Sequence, residues 1–142
     1  MDSRIVRITE HTASCDALGK LASLESQDQV PFDIKRVYYI YGAREGTIRG
    51  AHAHKSLCQF LVCTHGSIEI KLDDGAEKSQ VLLNDPTKGI LIEPRIWHEM
   101  KWLEDDSVLM VLASQHFNES DYIRNYDDFL DYISAHEKRS TP

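Results

Sequence analysis

Two histidines, His52 and His54, are the residues of this 142-residue chain whose type and spacing most directly suggest chemistry. Side chains alternate between the two faces of a β-strand, so residues two positions apart project from the same face. Imidazole exchanges a proton near neutral pH and also binds metal ions. Glycines stand at fixed offsets on both sides, Gly46 before the pair and Gly66 after it. These flanking glycines favour a functional site, for proton transfer or metal coordination. The alternative is that both histidines are simply exposed to solvent on a strand surface.

The elements that would position these histidines are short β-strands. Segments rich in β-branched and aromatic residues recur at regular spacing and are separated by turn residues, such as Asp73-Asp74-Gly75, which predicts a hairpin. The predicted strands are 34–41, 51–54, 57–64, 67–72, 77–83, 89–93, 98–103 and 107–114. This pattern predicts an all-β fold, a jelly roll or sandwich.

The two ends of the chain differ from this pattern. Tyr126, Phe129, Leu130 and Ile133 follow the i, i+3, i+4, i+7 spacing of one amphipathic helix. We therefore predict a single domain over residues 1–142, in which an N-terminal arm (1–33) with short strands precedes a barrel (34–118) and a short C-terminal helix (119–135).

Composition excludes several classes of protein. The net charge of −7, without a cluster of lysines or arginines, argues against nucleic-acid binding, although a few local arginines could still hold a small anion. No apolar run approaches the roughly 20 residues of a membrane span, and the N-terminus lacks a signal-type apolar core, so we expect a cytoplasmic location. Three cysteines, Cys15, Cys58 and Cys63, suggest neither a disulfide framework nor a zinc knuckle.

The spacing around the histidines resembles the first cupin motif. In that motif Gly, His-x-His, Glu and Gly stand at fixed intervals, which Gly46, His52, His54, Gln59 and Gly66 reproduce with Gln59 in place of Glu. The resemblance implies a cupin jelly-roll β-barrel.

The second cupin motif is matched only loosely, by Gly89, Pro94 and His98. Metal-binding cupins resemble a site of three histidines and one glutamate, and an amide oxygen is a poorer ligand for a dication than a carboxylate. We therefore predict a site without metal and an enzyme without a cofactor, although His52, His54 and His98 could still converge.

A closer resemblance extends from about residue 30 to 133. Segments 35–40, 49–54, 61–63, 72–75, 97–100, 111–114 and 121–124 are similar to the dTDP-4-keto-6-deoxyglucose 3,4-ketoisomerases. The resemblance implies a metal-free homodimer that acts on a dTDP-linked 4-keto-6-deoxy sugar. An aminotransferase would follow, on the route to dideoxyamino sugars of bacterial surface polysaccharides such as O-antigen.

The residue types fit this chemistry independently of the family resemblance. Moving a ketone from C4 to C3 requires a base that removes the acidic C3 proton, and hydrogen-bond donors that stabilise the enediolate oxygens. His52 and His54 are the candidates for proton transfer. Tyr38, which matches a pocket position of the family, is the third predicted catalytic residue, with a core aromatic as the competing interpretation.

Five further residues are predicted to bind the substrate. Arg36 could pair with the pyrophosphate, because a guanidinium forms bidentate hydrogen bonds to phosphate, or could be a surface charge. Trp97 could pack on the ligand or fill the core, and His98 could border the sugar or be a buried structural histidine. The full set is Arg36, Arg49, Gln59, Trp97 and His98.

The configuration of the product at C4 is a separate question. One histidine face can take a proton from C3 and return it to C4 on the same side of the ring, which gives the galacto product. In the family, the gluco and galacto branches differ at two pocket positions, which match Leu18 and His98 here. His98 favours galacto, and Leu18 matches neither branch. Competing functions are a cupin-type sugar-nucleotide epimerase, a metal-dependent dioxygenase and a non-catalytic sugar-binding cupin.

Overall fold

The computed structural model describes residues 4–12 and 16–140, which include twelve β-strands and one α-helix. The strands are β1 (Ile5–Arg7), β2 (Thr9–Thr12), β3 (Lys20–Ser23), β4 (Arg36–Ile40), β5 (Ile48–His54), β6 (Gln59–His65), β7 (Ile68–Asp73), β8 (Lys78–Leu83), β9 (Lys88–Ile92), β10 (Trp97–Trp102), β11 (Val108–Ala113) and β12 (Tyr122–Ile123). The helix is α1 (Tyr126–Ser140). Cys15 lies outside the described residues, and Cys58 and Cys63 are free thiols.

Two antiparallel sheets of five strands face each other. Their strand orders are β1-β9-β6-β11-β4 and β12-β5-β10-β7-β8, and β2 and β3 form a separate hairpin. The eight strands predicted between residues 34 and 114 correspond to β4–β11, with their ends shifted by at most three residues. The arrangement confirms the predicted jelly roll.

The core fills the space between the sheets, and a second apolar layer covers the outside of the first sheet. Within β6, Leu61 faces the central core, whereas Phe60 packs outward against Val30 and Phe32 of the N-terminal arm. β6 is therefore apolar on both faces, as expected for a strand covered on both sides. The arm also supplies β1, which pairs with β9, so part of 1–33 belongs to the barrel sheet itself.

The C-terminal segment differs from its predicted boundaries. The helix begins at Tyr126 rather than at residue 119, because Tyr122 and Ile123 form strand β12 and pair with His54 and Ala53 of β5. The helix buries Phe129 completely against the outer face of the second sheet. Among the described residues, no helix combines the length and the apolar character that crossing a membrane requires.

Candidate active site

Three histidines converge inside the barrel. The ring centroid of His52 lies 4.9 Å from that of His54 and 4.8 Å from that of His98. One nitrogen from each ring lies within 4.8 Å of the other two. His54 and His98 are only 3% and 2% exposed, whereas His52 is partly exposed. The convergence that the sequence left open is therefore present, and His52 is the member that solvent reaches.

Strand pairing and a β-bulge bring these side chains together. His52 of β5 lies opposite His98 of β10, but the next pair is Gly50 with Glu99, so Ala51 has no partner in the register. Ala51 has a φ of 56° and Gly50 a φ of 89°. This positive φ favours glycine at position 50, where a Cβ would also lie 3.0 Å from the carbonyl oxygen of His98.

The bulge also explains the placement of Arg49. Under strict alternation, Arg49 and His52 would point to opposite faces of the strand, since they are three positions apart. The extra residue at the bulge reverses the alternation, and Arg49 pairs with Met100 on the barrel side of β10. Arg49 and His52 consequently line the same cavity. Strand β5 therefore begins at Ile48, three residues before the start predicted from the sequence.

Burial holds the histidine cluster in its neutral form. Loss of solvent lowers the pKa of His52, and it lowers the pKa values of His54 and His98 to about 3. The neighbouring imidazoles add to the effect on His54 and His98, because a second positive charge so close is unfavourable. All three rings are therefore neutral near pH 7, and each has a lone pair that can accept a proton.

A backbone carbonyl fixes the orientation of the His98 ring. The Nδ1 atom of His98 lies 3.0 Å from the carbonyl oxygen of Ile96, which only accepts, so this nitrogen carries the hydrogen and Nε2 carries the lone pair. The Nδ1 atom of His54 lies 3.5 Å from a carboxylate oxygen of Asp121 without forming a hydrogen bond to it. Asp121 is buried and accepts hydrogen bonds from the backbone of Ser56 and Leu57 at 3.0 and 3.2 Å.

The open side of His52 faces a cavity of about 370 Å³. This is within the size range of small-molecule sites, roughly 300–1,000 Å³. The residues that line it are Arg36, Tyr38, Ile40, Arg49, Gly50, His52, Met100, Phe117, Tyr122 and Arg124. The set contains three arginines and no acidic residue, so the cavity is locally positive although the chain has a net charge of −7. An anionic group is the expected partner.

Tyr38 contacts both polar neighbours that the sequence singled out. The side-chain amide of Gln59 donates a hydrogen bond to the Tyr38 hydroxyl at 2.8 Å, and the Arg36 guanidinium lies 4.6 Å from the centre of the tyrosine ring. Burial and then the Tyr122 phenol raise the pKa of Tyr38, whereas the Arg36 charge and the hydrogen bond from Gln59 oppose the shift. Tyr38 is therefore a neutral hydroxyl near pH 7.

Seven of the eight predicted site residues lie in the cavity wall or directly around it. Arg36, Tyr38, Arg49 and His52 line the cavity directly. His54, Gln59 and His98 are buried around it: the rings of His54 and His98 contact that of His52 edge-on, and Gln59 bonds to Tyr38.

Trp97 is not part of this site. It neighbours His98 on β10, and adjacent strand residues point to opposite faces, so its ring packs 5.3 Å from Tyr126 beneath the helix. It lines a larger groove of about 580 Å³ that contains no histidine. Leu18 is 74% exposed on the N-terminal arm and does not line the histidine cavity either.

The structure adds residues that sequence reasoning had not assigned to the site. Tyr122 places its ring 4.9 Å from that of His52 and 4.4 Å from that of His54. Arg124 lies over the Tyr122 ring at 4.2 Å and forms an ion pair with Glu119. The segment 121–124 had been noticed only as a point of family resemblance, because nothing in its sequence indicates that β12 pairs beside the histidines. Phe117, 61% exposed, completes the rim.

Comparison with known proteins identifies a matching family and similar proteins. The family described as "FdtA: WxcM-like, C-terminal" matches residues 1–134. A curated relative from Aneurinibacillus thermoaerophilus, TDP-4-oxo-6-deoxy-alpha-D-glucose-3,4-oxoisomerase, is 46% identical over 84% of this chain and 86% of its own length.

Two solved structures are similar over nearly the whole chain. A 3,4-ketoisomerase from Helicobacter canadensis is 41% identical, with a TM-score of 0.87 over 92% of this chain and 96% of its own. A mutant of the 3,4-ketoisomerase QdtA from Thermoanaerobacterium thermosaccharolyticum, in complex with TDP-4-keto-6-deoxyglucose, is 38% identical. Its TM-score is 0.87, over 97% of this chain and 96% of its own.

Proposed function

The chain belongs to the family of TDP-sugar 3,4-ketoisomerases, and from this premise we propose that it converts TDP-4-keto-6-deoxyglucose to a 3-keto isomer. The observation that carries the proposal is the cavity in which a neutral His52 lies beside the Tyr38 hydroxyl and three arginines. A base, a hydroxyl donor and an anion-binding wall are the parts that this reaction on a nucleotide-linked sugar requires.

The arginines explain why we propose a substrate that carries a diphosphate group. Guanidinium groups bind phosphate oxygens in a bidentate fashion and remain charged at all physiological pH values. Arg36, Arg49 and Arg124 all border the cavity, and Glu119, the ion-pair partner of Arg124, does not line it. We assign the pyrophosphate to this side of the cavity, which leaves the sugar to extend toward His52.

The reaction is a pair of proton transfers. His52 removes the proton from C3, the C3–H electrons form a C3=C4 double bond, and the ketone oxygen at C4 takes up a proton to give an enediol. The hydroxyl at C3 then loses its proton as the C3 ketone forms, and C4 receives a proton. Every electron pair stays within the sugar, so no external oxidant or reductant enters the balance. Tyr38 donates a hydrogen bond to the oxygen on which negative charge develops.

The direct test is NMR of TDP-4-keto-6-deoxyglucose incubated with the purified protein. We expect the C4 ketone signal to be replaced by a C3 ketone signal. A coupled 3-aminotransferase should then aminate the product, which an epimerase product with its ketone still at C4 would not allow. Binding of the substrate without any turnover would instead indicate a non-catalytic sugar-binding protein and would refute the proposed activity.

We predict that the product is TDP-3-keto-6-deoxygalactose. The C3 hydrogen of the gluco substrate and the new C4 hydrogen of a galacto product lie on the same face of the ring, so one base can serve both steps. His54 and His98 contact His52 and add to the same cluster. After trapping with a 3-aminotransferase, the H3–H4 coupling should be small. A large diaxial coupling would identify the gluco product and contradict a single-face route.

We further predict that the enzyme works without a metal ion. Three convergent imidazoles could hold a divalent cation, but Gln59 replaces the carboxylate of metal-binding cupins with a neutral amide. Protein dialysed against EDTA should therefore retain its turnover number. Loss of activity on dialysis, followed by recovery with one specific divalent ion, would show that a metal is required and would favour the metal-dependent alternative.

We also propose that the protein is a homodimer. Strand β4 is an edge strand, and its outward side chains Val37 and Tyr39 are 53% and 63% exposed; Tyr41, just after the strand, is 73% exposed. Exposed edges and apolar stripes of this kind are usually covered by a partner. Light scattering should give twice the chain mass of 16.3 kDa, and Tyr39→Lys should lower it. A wild-type monomer at micromolar concentration would exclude this assembly.

The cytoplasmic location and the role in dideoxyamino-sugar synthesis follow from the substrate that we propose.

A further inference from the structure

The glutamine that departs from the cupin motif has a specific contact in the structure. Gln59 is 2% exposed at the start of β6, and its Nε2 atom donates to the Tyr38 hydroxyl at 2.8 Å. From the sequence, Gln59 is interpreted as the loss of a metal ligand and as a residue that binds the substrate directly. The contact instead connects it with a hydroxyl that lines the cavity.

The direction of this hydrogen bond determines where the phenol hydrogen can point. A tyrosine oxygen can accept from neighbours while it donates its single hydrogen elsewhere. Gln59 donates to the Tyr38 hydroxyl, and the Arg36 guanidinium, which lies over the tyrosine ring, has no acceptor to offer the phenol hydrogen. The phenol hydrogen is consequently left for a third partner on the cavity side.

We propose that Gln59 is a positioning residue that directs the Tyr38 hydroxyl hydrogen toward the substrate oxygen. This inference rests on the proposed isomerisation, in which that oxygen carries developing negative charge. A glutamate here would reverse the bond, because an ionised carboxylate only accepts and would take the phenol hydrogen for itself. The amide therefore keeps Tyr38 a donor toward the cavity. No covalent bond changes in this contact.

Two substitutions at one position separate this role from simple packing. Gln59→Glu keeps the shape and a hydrogen bond but reverses the direction of that bond, whereas Gln59→Met removes the bond and leaves the phenol hydrogen free to face the cavity. We expect Gln59→Glu to lower kcat by about 10²-fold, as loss of one oxyanion donor does, and Gln59→Met to lower it only several-fold. Turnover is measured at pH 8.5, because the carboxyl group introduced by Gln59→Glu must be ionised in this test. The positive charge of Arg36 also favours its ionised form.

A purely structural role predicts the opposite order. If Gln59 only braced Tyr38, the variant without any hydrogen bond would be at least as impaired as the variant that keeps one, and that result would overturn the proposal. A double variant adds a second criterion: in a Tyr38→Phe background, Gln59→Glu should have no further effect on kcat. An additional tenfold loss there would show that Gln59 acts through some other group.

Spectroscopy of Tyr38 gives a readout that is independent of turnover. With ¹³Cζ-labelled tyrosine, the pKa of Tyr38 should rise in Gln59→Glu, since a new negative charge opposes ionisation, and should rise less in Gln59→Met. An unchanged titration would contradict the assigned contact.

Two controls keep the result interpretable. If Gln59→Glu fails to fold, hydrogen exchange of the Gln59 side-chain amide in the wild-type protein provides a substitute measurement. This amide should exchange slowly with solvent, and Tyr38→Phe should remove that protection. Persistence of the protection would overturn the proposed bond. Absence of turnover in the wild-type protein would refute the isomerase activity alone, because the titration still reports the direction of the bond.

Discussion

Replacing His52 by asparagine is expected to lower kcat by about 10²-fold or more, the lower end of what a positioned general base contributes. His52 is the one histidine of the cluster that lines the cavity, and its lowered pKa keeps it ready to accept the C3 proton. Affinity for TDP should change much less, since the arginines that we assign to the pyrophosphate remain.

The same substitution at His54 is expected to reduce kcat as well, because its ring contacts that of His52 at 4.9 Å. His65→Asn is the matched control, since His65 is exposed at the end of β6 and does not line the cavity. Single-turnover measurements on all three variants, with TDP binding by calorimetry, test this assignment. Near-normal turnover in both His52→Asn and His54→Asn would show that the site is misplaced.

Tyr38→Phe is expected to lower kcat by about 10²–10³-fold, the usual effect of removing one donor that stabilises an oxyanion. The substitution deletes only the hydroxyl oxygen, so the ring still packs beneath the Arg36 guanidinium. KM should change little, because the hydroxyl is more important to the enediolate than to the ground-state ketone.

Tyr39→Phe provides an internal comparison for this prediction. Tyr39 is the next residue on the same strand but points to the outer face, where it is 63% exposed. Steady-state kinetics should therefore show a large fall in kcat for the first variant and almost none for the second. Near-normal kcat in Tyr38→Phe would mean that the hydroxyl of Tyr38 has no part in catalysis.

The sequence alone determined the strands and the nature of the chemistry. Alternation of apolar and polar residues, with turn residues such as Asp74 and Gly75 between the runs, is a local property, so β4 to β11 could be located without a structure. The spacing of His52 and His54 is equally local, since a strand places residues two positions apart on one face. The structure places both on one face, and it also shows the convergence with His98 that the sequence left open.

Long-range pairing decided the rest of the site. The bulge at Ala51 lies where β5 and β10 pair on both sides of a close contact at Gly50, and it brings Arg49 to the face of His52. Strict alternation on β10 removed Trp97 from the site by directing it to the helix side.

Strand β12 brought Asp121, Tyr122 and Arg124 to the histidines from a segment predicted to be helical. The two residues of β12 are too short to produce a periodic signal of their own. They form a strand only because the edge of β5 offers unpaired backbone groups, and that edge exists only once the barrel has folded.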